Sequence, residues 1–277
     1  MTPIKQLLNY GRAHLPPLEA RLLAEHVLGV GHAYLVAHDD ELVTADQLAT
    51  YQALIHRAAQ GEPIPYLIGH APFYSREFAV SPAVLIPRPE TELLVGRALR
   101  WLAEQSFAQP PQVVDVGTGS GCIGITLACE CPTAEVTAVD ISAEALAIAQ
   151  RNGAAHGAAV RWVQGNLLAA VAPPIHLLVA NLPYITDDEW TSLADGVKSY
   201  EPTLALRGGV DGLDLVRPLL AQATHSLAPP SLILLEIGWQ QGEAACTAAR
   251  KTFPHATITL HPDDAGHDRL VEIVVSG

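Results

Sequence analysis

Charge is scarce in this sequence, and positive charge is the scarcer kind. Only 16% of the 277 residues are Asp, Glu, Lys or Arg, and 16 Lys and Arg stand against 29 Asp and Glu. The resulting net charge is −13. A protein whose main task is to grip a nucleic-acid backbone usually carries a basic face. The composition therefore predicts no stable nucleic-acid binding.

Cysteines and long apolar runs are also few. The spacing of Cys122, Cys129, Cys131 and Cys246 is not typical of a zinc site, so we expect reduced thiols and no bound metal. No stretch approaches the roughly 18 consecutive apolar residues of a membrane span. The first residues lack the apolar segment of a secretion signal. These features predict a cytoplasmic protein without a membrane segment.

Apolar residues make up 49% of the chain, which allows a large core. Residues 1–62 have helical periodicity and predict a small all-α domain, in which Thr44 and Gln47 form a capping-box pattern. Residues 63–90 are rich in proline and contain the β-type pieces "EFAV" and "AVLI", which predict a linker with a hairpin. A helix is expected from about Thr91 to Glu104.

Strand and helix patterns alternate in the third predicted domain, residues 91–277. Such alternation is typical of βαβ units and a buried, mostly parallel sheet. The last two runs are joined by only about six residues, so they are expected to pair antiparallel. The predicted strands are "QVVDVG", "EVTAVD", "VRWVQG", "IHLLVAN", "LILLEIG", "ATITLHP" and "RLVEIVV".

A glycine-rich loop, "GTGSG", follows the first of these strands directly. Glycines there let a ligand approach the backbone N–H groups at the start of the next helix. Gly119, Gly121 and Gly124 satisfy the dinucleotide pattern G-x-G-x-x-G, so a dinucleotide is a rival ligand. Counted from the strand end at Gly117, however, Cys122 occupies the third glycine position. The resulting G-x-G-x-G pattern suits S-adenosylmethionine better.

Polar residues also end the next two strands. Asp140 closes the second strand, where an acid bonds the two ribose hydroxyls of either ligand. Asn166 and Leu167 follow the third strand, and we expect them to meet the adenine amino group and the adenine ring. Asp140 does not discriminate between the two ligands.

The fourth strand ends in "NLPY", residues 181–184. By itself this tetrapeptide indicates only strand termination. At the carboxyl end of a parallel strand, however, it lies where open α/β sheets place their chemistry. Asn181 Oδ1 and the Leu182 carbonyl are two acceptors for the N–H groups of a planar amide, and Tyr184 offers a flat face for stacking. Such a site suits methylation of an NH2 nitrogen, a reaction that needs no metal.

Together these motifs identify a family. "VLIPRPETE", "DVGTGSG", "AVDIS", "NLPYI", "YEPTLALRGGVDGL" and "LLEIGWQQ" resemble the protein-(glutamine-N5) methyltransferases that modify peptide-chain release factors, the HemK/PrmC-like enzymes. The resemblance covers nearly the whole chain. It implies a class I S-adenosylmethionine-dependent methyltransferase fold: a Rossmann-like, seven-stranded, mostly parallel sheet with an antiparallel last strand, preceded by a small all-α domain.

The resemblance also implies residue roles. The loop Gly117–Gly121 (with Thr118, Gly119 and Ser120), Asp140 and Asn181 would contact S-adenosylmethionine, which leaves as S-adenosyl-L-homocysteine. Residues 181–184 (Asn181, Leu182, Pro183 and Tyr184) would hold the glutamine of the release factor's Gly-Gly-Gln motif, and the helical domain would help to dock the factor. Glu90 and Glu201 would lie near the site mouth, although helix capping or surface charge explains each of them equally well.

Two positions depart from the family pattern. Leu182 replaces a proline, but the expected acceptor is a backbone carbonyl, so activity should be retained at a modestly reduced level. Asn166 stands where an acid is common and is expected to weaken cofactor affinity.

Other functions compete with this hypothesis. The closest is glutamine methylation of a ribosomal protein by a sister enzyme. N6-adenine methylation of nucleic acid is disfavoured by the net charge, and an NAD-dependent oxidoreductase by the glycine count. A non-catalytic binding protein is disfavoured by the intact Asn181, Pro183, Tyr184 and Asp140.

Overall fold

The computed structural model describes residues 2–192 and 195–276, which form two compact units. The first comprises residues 2–70 and 195–200, and the second comprises residues 71–192 and 201–276. The finer domain bounds expected at residues 62 and 90 stay a prediction.

Short helices build most of the first unit. Its largest helix begins with the expected capping box, in which Gln47 N donates to Thr44 Oγ1 at 3.1 Å and Thr44 N donates to Gln47 Oε1 at 2.9 Å. Tyr51 and Ile55 on this helix are fully buried in the core of the unit. The elements are β1 (Thr2–Pro3), α1 (Ile4–Arg12), α2 (Pro17–Leu28), α3 (His32–Ala37), β2 (Leu42–Val43), α4 (Ala45–Ala59), α5 (Ile64–Ile68) and, numbered by its place in the chain, α10 (Asp195–Tyr200).

The second unit contains the sheet predicted from the sequence. Its strands are β3 (His70–Phe73), β4 (Arg76–Ala79), β5 (Gln112–Val116), β6 (Glu135–Asp140), β7 (Val160–Gln164), β8 (Ile175–Asn181), β9 (Ile185–Thr186), β10 (Arg207–Gly209), β11 (Leu227–Glu236), β12 (Thr257–Pro262) and β13 (Asp268–Val275). Its helices are α6 (Glu92–Glu104), α7 (Cys122–Glu130), α8 (Ala143–His156), α9 (Asp187–Ser192), α11 (Val216–Ala223) and α12 (Gly242–Thr252), with 3-10 turns at Pro89–Thr91 and Thr203–Ala205.

Seven strands form one sheet in the order β12-β13-β11-β8-β5-β6-β7. β13 runs antiparallel to both neighbours, β11 and β12, while β5, β6, β7, β8 and β11 pair in parallel. The predicted fold class and the antiparallel pairing of the last two strands are therefore confirmed. Alternate residues of β5 enter different core clusters, Val114 and Val116 one and Val113 the other, so helices cover both faces of the sheet.

The connector contains the expected hairpin but not with the expected partner strands. β3 pairs with β4, and the turn between them holds Tyr74 and Ser75 at φ values of 48° and 59°. "AVLI" (residues 83–86) is not a strand, so that expectation was wrong. Pro82 and Pro87 flank it and lack the N–H that a strand ladder needs, and Ile86 N donates instead to Glu201 Oε2 at 3.3 Å.

Candidate active site

A cavity of about 360 Å³ lies at the carboxyl ends of the central strands of the second unit. Its walls come from the loops after β5, β6, β7 and β8, from the segment before α6 and from the turn near residue 204. This is the edge where open α/β sheets bind ligands, and the volume lies within the range of small-molecule sites. Most residues that the sequence analysis selected line this cavity: Gly117, Thr118, Gly119, Ser120, Asp140, Asn166, Leu167, Asn181, Leu182 and Pro183.

Gly121 and Tyr184 were also selected but do not line the cavity. Gly121 has a φ of +85° at the start of α7, and a Cβ there would lie 2.8 Å from Ile125 Cδ1. This glycine therefore permits close packing of the loop. At Gly119, with φ +55°, a Cβ would meet no atom nearer than 4.0 Å, so the loop has its open side there.

Asp115 on β5 holds the glycine loop in place. Its Oδ2 accepts hydrogen bonds from Thr118 Oγ1 at 2.6 Å and from Gly124 N at 3.0 Å, while its buried Oδ1 has no partner. Burial raises the pKa of Asp115 to about 6. Sequence reasoning did not select this residue, although it lies within the quoted motif "DVGTGSG".

The raised pKa of Asp115 predicts a pH dependence of stability. Below the unfolded-state pKa of 3.8 the Asp115 carboxyl group is neutral in both the folded and the unfolded protein, and its contribution to the free energy of unfolding is fully present. The contribution is lost as pH rises through the folded-state pKa of about 6, because ionisation is then disfavoured only in the folded protein. Between pH 4 and 7.5 the free energy of unfolding should fall by about 2–3 kcal/mol more in the wild type than in Asp115→Asn.

Urea unfolding followed by tryptophan fluorescence measures this difference within the second unit, because Trp101, Trp162, Trp190 and Trp239 all belong to it. Asp264→Asn, at an exposed carboxyl group, is the matched control. Parallel profiles for the wild type and Asp115→Asn would contradict the prediction.

Asp140 ends β6 at the cavity wall. Its Oδ2 accepts from Gly119 N and its Oδ1 from Ser142 N, each at 2.9 Å. A carboxylate oxygen accepts two hydrogen bonds, so each oxygen keeps one acceptor position for a ligand. Asp140 thus joins the second strand to the glycine loop and still has capacity to bind hydroxyl groups.

The tetrapeptide 181–184 begins with the last residue of β8. The Leu182 side chain is only 5% exposed and packs in the core, where its Cδ2 would lie 3.0 Å from a Cβ at Gly117. The Tyr184 carbonyl accepts from Gln241 Nε2 at 2.6 Å. Burial raises the pKa of Tyr184 to about 12, and its phenol is neutral at pH 7.

Long-range contacts support this motif from residues that the sequence analysis left without a role. Besides Gln241, Asn181 Nδ2 donates to Thr91 Oγ1 at 3.1 Å, and Glu236 is the register partner of Asn181 on β11. Thr91 lies in "PRPETE", and Glu236 and Gln241 lie in "LLEIGWQQ". The motifs that carry the family resemblance thus include all three supporting residues, but the local sequence does not show which side chains contact each other.

The two acids near the expected site mouth differ. Glu201 is 5% exposed and does not itself line the cavity, but its carboxylate accepts hydrogen bonds from Arg88 Nη2 and from Ile86 N and so holds the wall segment 85–88 in place. Glu90 is exposed and does not line the cavity. Surface charge therefore describes Glu90 but not Glu201.

A thiol also lines the cavity. Burial raises the pKa of Cys122 to about 12, which keeps the thiol protonated and a poor nucleophile at neutral pH. Within residues 2–192 and 195–276, no group of three or more His, Cys, Asp or Glu side chains is arranged to hold a metal ion. The described part of the chain also has no helix long and apolar enough to cross a membrane.

Comparison with known proteins gives the site its context. Residues 4–69 match the family described as PrmC N-terminal domain, and residues 96–195 match the family described as Methyltransferase small domain. A crystal structure of a methyltransferase from Pyrococcus furiosus is similar in fold, with a TM-score of 0.52 at 16% identity over 83% of this chain and 99% of that one.

Two curated relatives extend over nearly the full length. The release factor glutamine methyltransferase of Bordetella pertussis is 44% identical over 91% of this chain and 92% of its own. That of Xylella fastidiosa is 41% identical over 95% of each chain. With a class I methyltransferase sheet, a cavity at its carboxyl edge and relatives of this similarity, the chain belongs to the family of release factor glutamine methyltransferases.

Proposed function

We propose that this protein transfers a methyl group from S-adenosylmethionine to the side-chain amide nitrogen (N5) of the glutamine in the Gly-Gly-Gln motif of peptide chain release factors. The observation that carries the proposal is the juxtaposition of Asn181 with the loop residues Gly117–Ser120 at one cavity, in a chain of this family.

The residues present fit S-adenosylmethionine. The open side of the loop at Gly119 allows a ligand to approach the backbone, and Asp140 keeps acceptor capacity for two ribose hydroxyls. Leu167, held at φ +53°, presents a buried apolar side chain for the adenine ring, with exposed Asn166 beside it. When bound, S-adenosylmethionine supplies an electrophilic sulfonium methyl group.

The chain's own residues then have to activate a weak nucleophile. An amide nitrogen has a delocalised lone pair, and positive charge develops on it as the N–CH3 bond forms and the S–CH3 bond breaks. Acceptors fixed in advance stabilise that charge, and we assign this role to Asn181 Oδ1 and the Leu182 carbonyl oxygen. The nitrogen afterwards releases one proton to water, which leaves a neutral N-methyl amide and a neutral thioether.

Tyr184 serves this reaction through its position. A phenol is neutral at pH 7 even at its ordinary pKa of 10, and burial raises the pKa of Tyr184 further, to about 12, so it offers no phenolate to act as a base there. Gln241 bridges the Tyr184 carbonyl and Gly238 N, at 2.6 and 2.9 Å, and so restrains the backbone that carries the tetrapeptide. We assign the apolar contact with the substrate amide to Pro183, which lines the cavity, and the support of this segment to Tyr184 through its carbonyl.

The partner is proposed from surface chemistry as well. The helical unit exposes the apolar side chains of Val36 and Leu42 at 65% and 54%, beside the acidic run Asp39–Glu41, which suits a protein partner with basic and apolar groups. The net charge of −13 disfavours a nucleic-acid substrate. We place the reaction in the cytoplasm, consistent with four free cysteines.

A methyl-transfer assay tests the proposal. The protein is incubated with S-[methyl-³H]adenosylmethionine and a purified release factor, or with the same factor whose Gly-Gly-Gln glutamine is replaced by alanine. We expect label on the first factor and none on the second. Equal labelling of both would overturn the glutamine assignment, and label only on a ribosomal protein or on DNA would establish a different substrate.

A further inference from the structure

Three side chains from distant parts of the chain lie close together, next to the cavity that we assign to the substrate amide. Asn181 ends β8, and Glu236 ends β11 as its partner in the parallel register. Thr91 lies at the start of α6. Thr91 and Glu236 are only 2% and 3% exposed, so this cluster is shielded from water on the side away from the cavity.

A hydrogen bond donated by the Asn181 side chain connects this cluster. Asn181 Nδ2 donates to Thr91 Oγ1 at 3.1 Å, and the Glu236 carboxyl group lies beside both side chains, across the strand register from Asn181. Thr91 occupies the N-cap position of α6, yet its hydroxyl makes no capping bond to that helix. The hydroxyl is therefore committed to the cluster instead of the helix end.

The orientation of the Asn181 carboxamide follows from these contacts. An asparagine NH2 group has two protons; one is donated to Thr91 Oγ1, and the neighbouring Glu236 carboxylate is an acceptor within the same cluster for the other. With the NH2 group directed into the cluster, the Oδ1 atom is left for the cavity. When Glu236 is ionised, a carboxamide turned by 180° would place Oδ1 against an acceptor-only carboxylate and present N–H groups to the N–H groups of the substrate.

The cluster also carries an energetic cost. Glu236 Oε2 is buried without a hydrogen-bond partner, and a charged group in that position destabilises a fold. An apolar residue at the end of β11 would pack without this cost. A role for the Glu236 carboxylate as a hydrogen-bond acceptor in the reaction would explain why an acid occupies this position.

We propose that Glu236 and Thr91 are positioning residues, which together orient Asn181 so that its side-chain oxygen faces the substrate amide. The inference rests on the proposed function and adds to it the groups that fix the catalytic acceptor.

Variants of the full-length protein test this proposal through kcat, KM, S-adenosylmethionine affinity and melting temperature. Glu236→Gln introduces a donor that stabilises the reversed Asn181 orientation, and Thr91→Val removes the hydroxyl; we expect each to lower kcat about tenfold with S-adenosylmethionine affinity within about threefold. Thr91→Ser is expected to recover most of the rate lost in Thr91→Val. The matched control is Ser231→Ala, which removes an unpartnered buried hydroxyl on the same strand, far from the cluster.

Two readouts separate positioning from a merely structural role. Glu236→Gln removes a buried carboxylate, so its melting temperature at pH 8 should be unchanged or higher while kcat falls. Burial also raises the pKa of Glu236 to about 7, so wild-type kcat should rise between pH 6 and 8, and this rise should be absent in Glu236→Gln. The charged and titratable groups that face Glu236 are Glu90, Cys122, Tyr184 and Arg269; Cys122 and Tyr184 stay neutral over this range because their pKa values are about 12.

A measurement without substrate distinguishes failure of this inference from failure of the proposed function. In ¹⁵N spectra the Asn181 side-chain NH2 protons should exchange slowly with water in the wild type and faster in Thr91→Val. Fast exchange in the wild type, or unchanged kcat in both variants of an enzyme that methylates release factors, would overturn the inference. An inactive wild type with slow NH2 exchange would overturn the proposed function alone.

Discussion

Replacing Asn181 with alanine is expected to lower kcat for methyl transfer about 100- to 1000-fold, the usual loss when one preorganised hydrogen-bonding group for transition-state charge is removed. The physical reason is that Asn181 Oδ1 stabilises charge that exists on the amide nitrogen only while the methyl group is transferred. Affinity for S-adenosylmethionine should change much less, since Asp140 and the glycine loop remain. Single-turnover rates together with calorimetric binding measure the two effects separately.

Asn181→Asp sharpens this prediction. It supplies acceptor oxygens of nearly the same shape but has no NH2 group to donate to Thr91, and it places a second carboxyl group next to Glu236. Like charges at this distance disfavour ionisation of both, so we expect Asn181→Asp to be nearly as inactive as Asn181→Ala. A near-normal rate for the alanine variant would remove Asn181 from the mechanism.

Replacing Asp140 with alanine is expected to weaken S-adenosylmethionine binding at least about 100-fold. Two hydrogen bonds from ribose hydroxyls to a carboxylate are lost, and each such charge-assisted bond contributes about 1.5–3 kcal/mol. The variant also releases Gly119 N and Ser142 N, which Asp140 holds at 2.9 Å, so the loop loses a restraint as well. The dissociation constant from calorimetry is the direct measurement.

Two companion variants assign the loss to its cause. Asp140→Asn keeps an acceptor oxygen but removes the charge, and should weaken binding by about tenfold. Glu135→Ala removes an exposed carboxylate at the opposite end of the same strand and should bind like the wild type. An unchanged dissociation constant for Asp140→Ala would show that the cofactor lies elsewhere.

Most of the sheet was predictable because its signals are local in the chain. β-branched runs such as "QVVDV" and "IHLLVAN" coincide with β5 and β8, and the pattern around "SAEALAIAQRNGAAHG" predicts α8, which begins after the N-cap Ser142. The short connection between the last two strands implied their antiparallel pairing. "AVLI" shows the limit: its composition suits a strand, but flanking prolines and a hydrogen bond to Glu201 determine its conformation.

The candidate site was likewise predictable only in part. Composition and order alone determined that a glycine loop, an acid and a tetrapeptide follow successive strands, and a parallel sheet necessarily brings such strand ends to one edge. Only the tertiary structure decided what surrounds them. Thr91 and Asn181 are 90 positions apart, and Gln241 and Tyr184 are 57 apart, so their contacts depend on the strand order and register. Local periodicity does not indicate which side chains contact each other across the sheet. Those contacts orient the side chains of the candidate site.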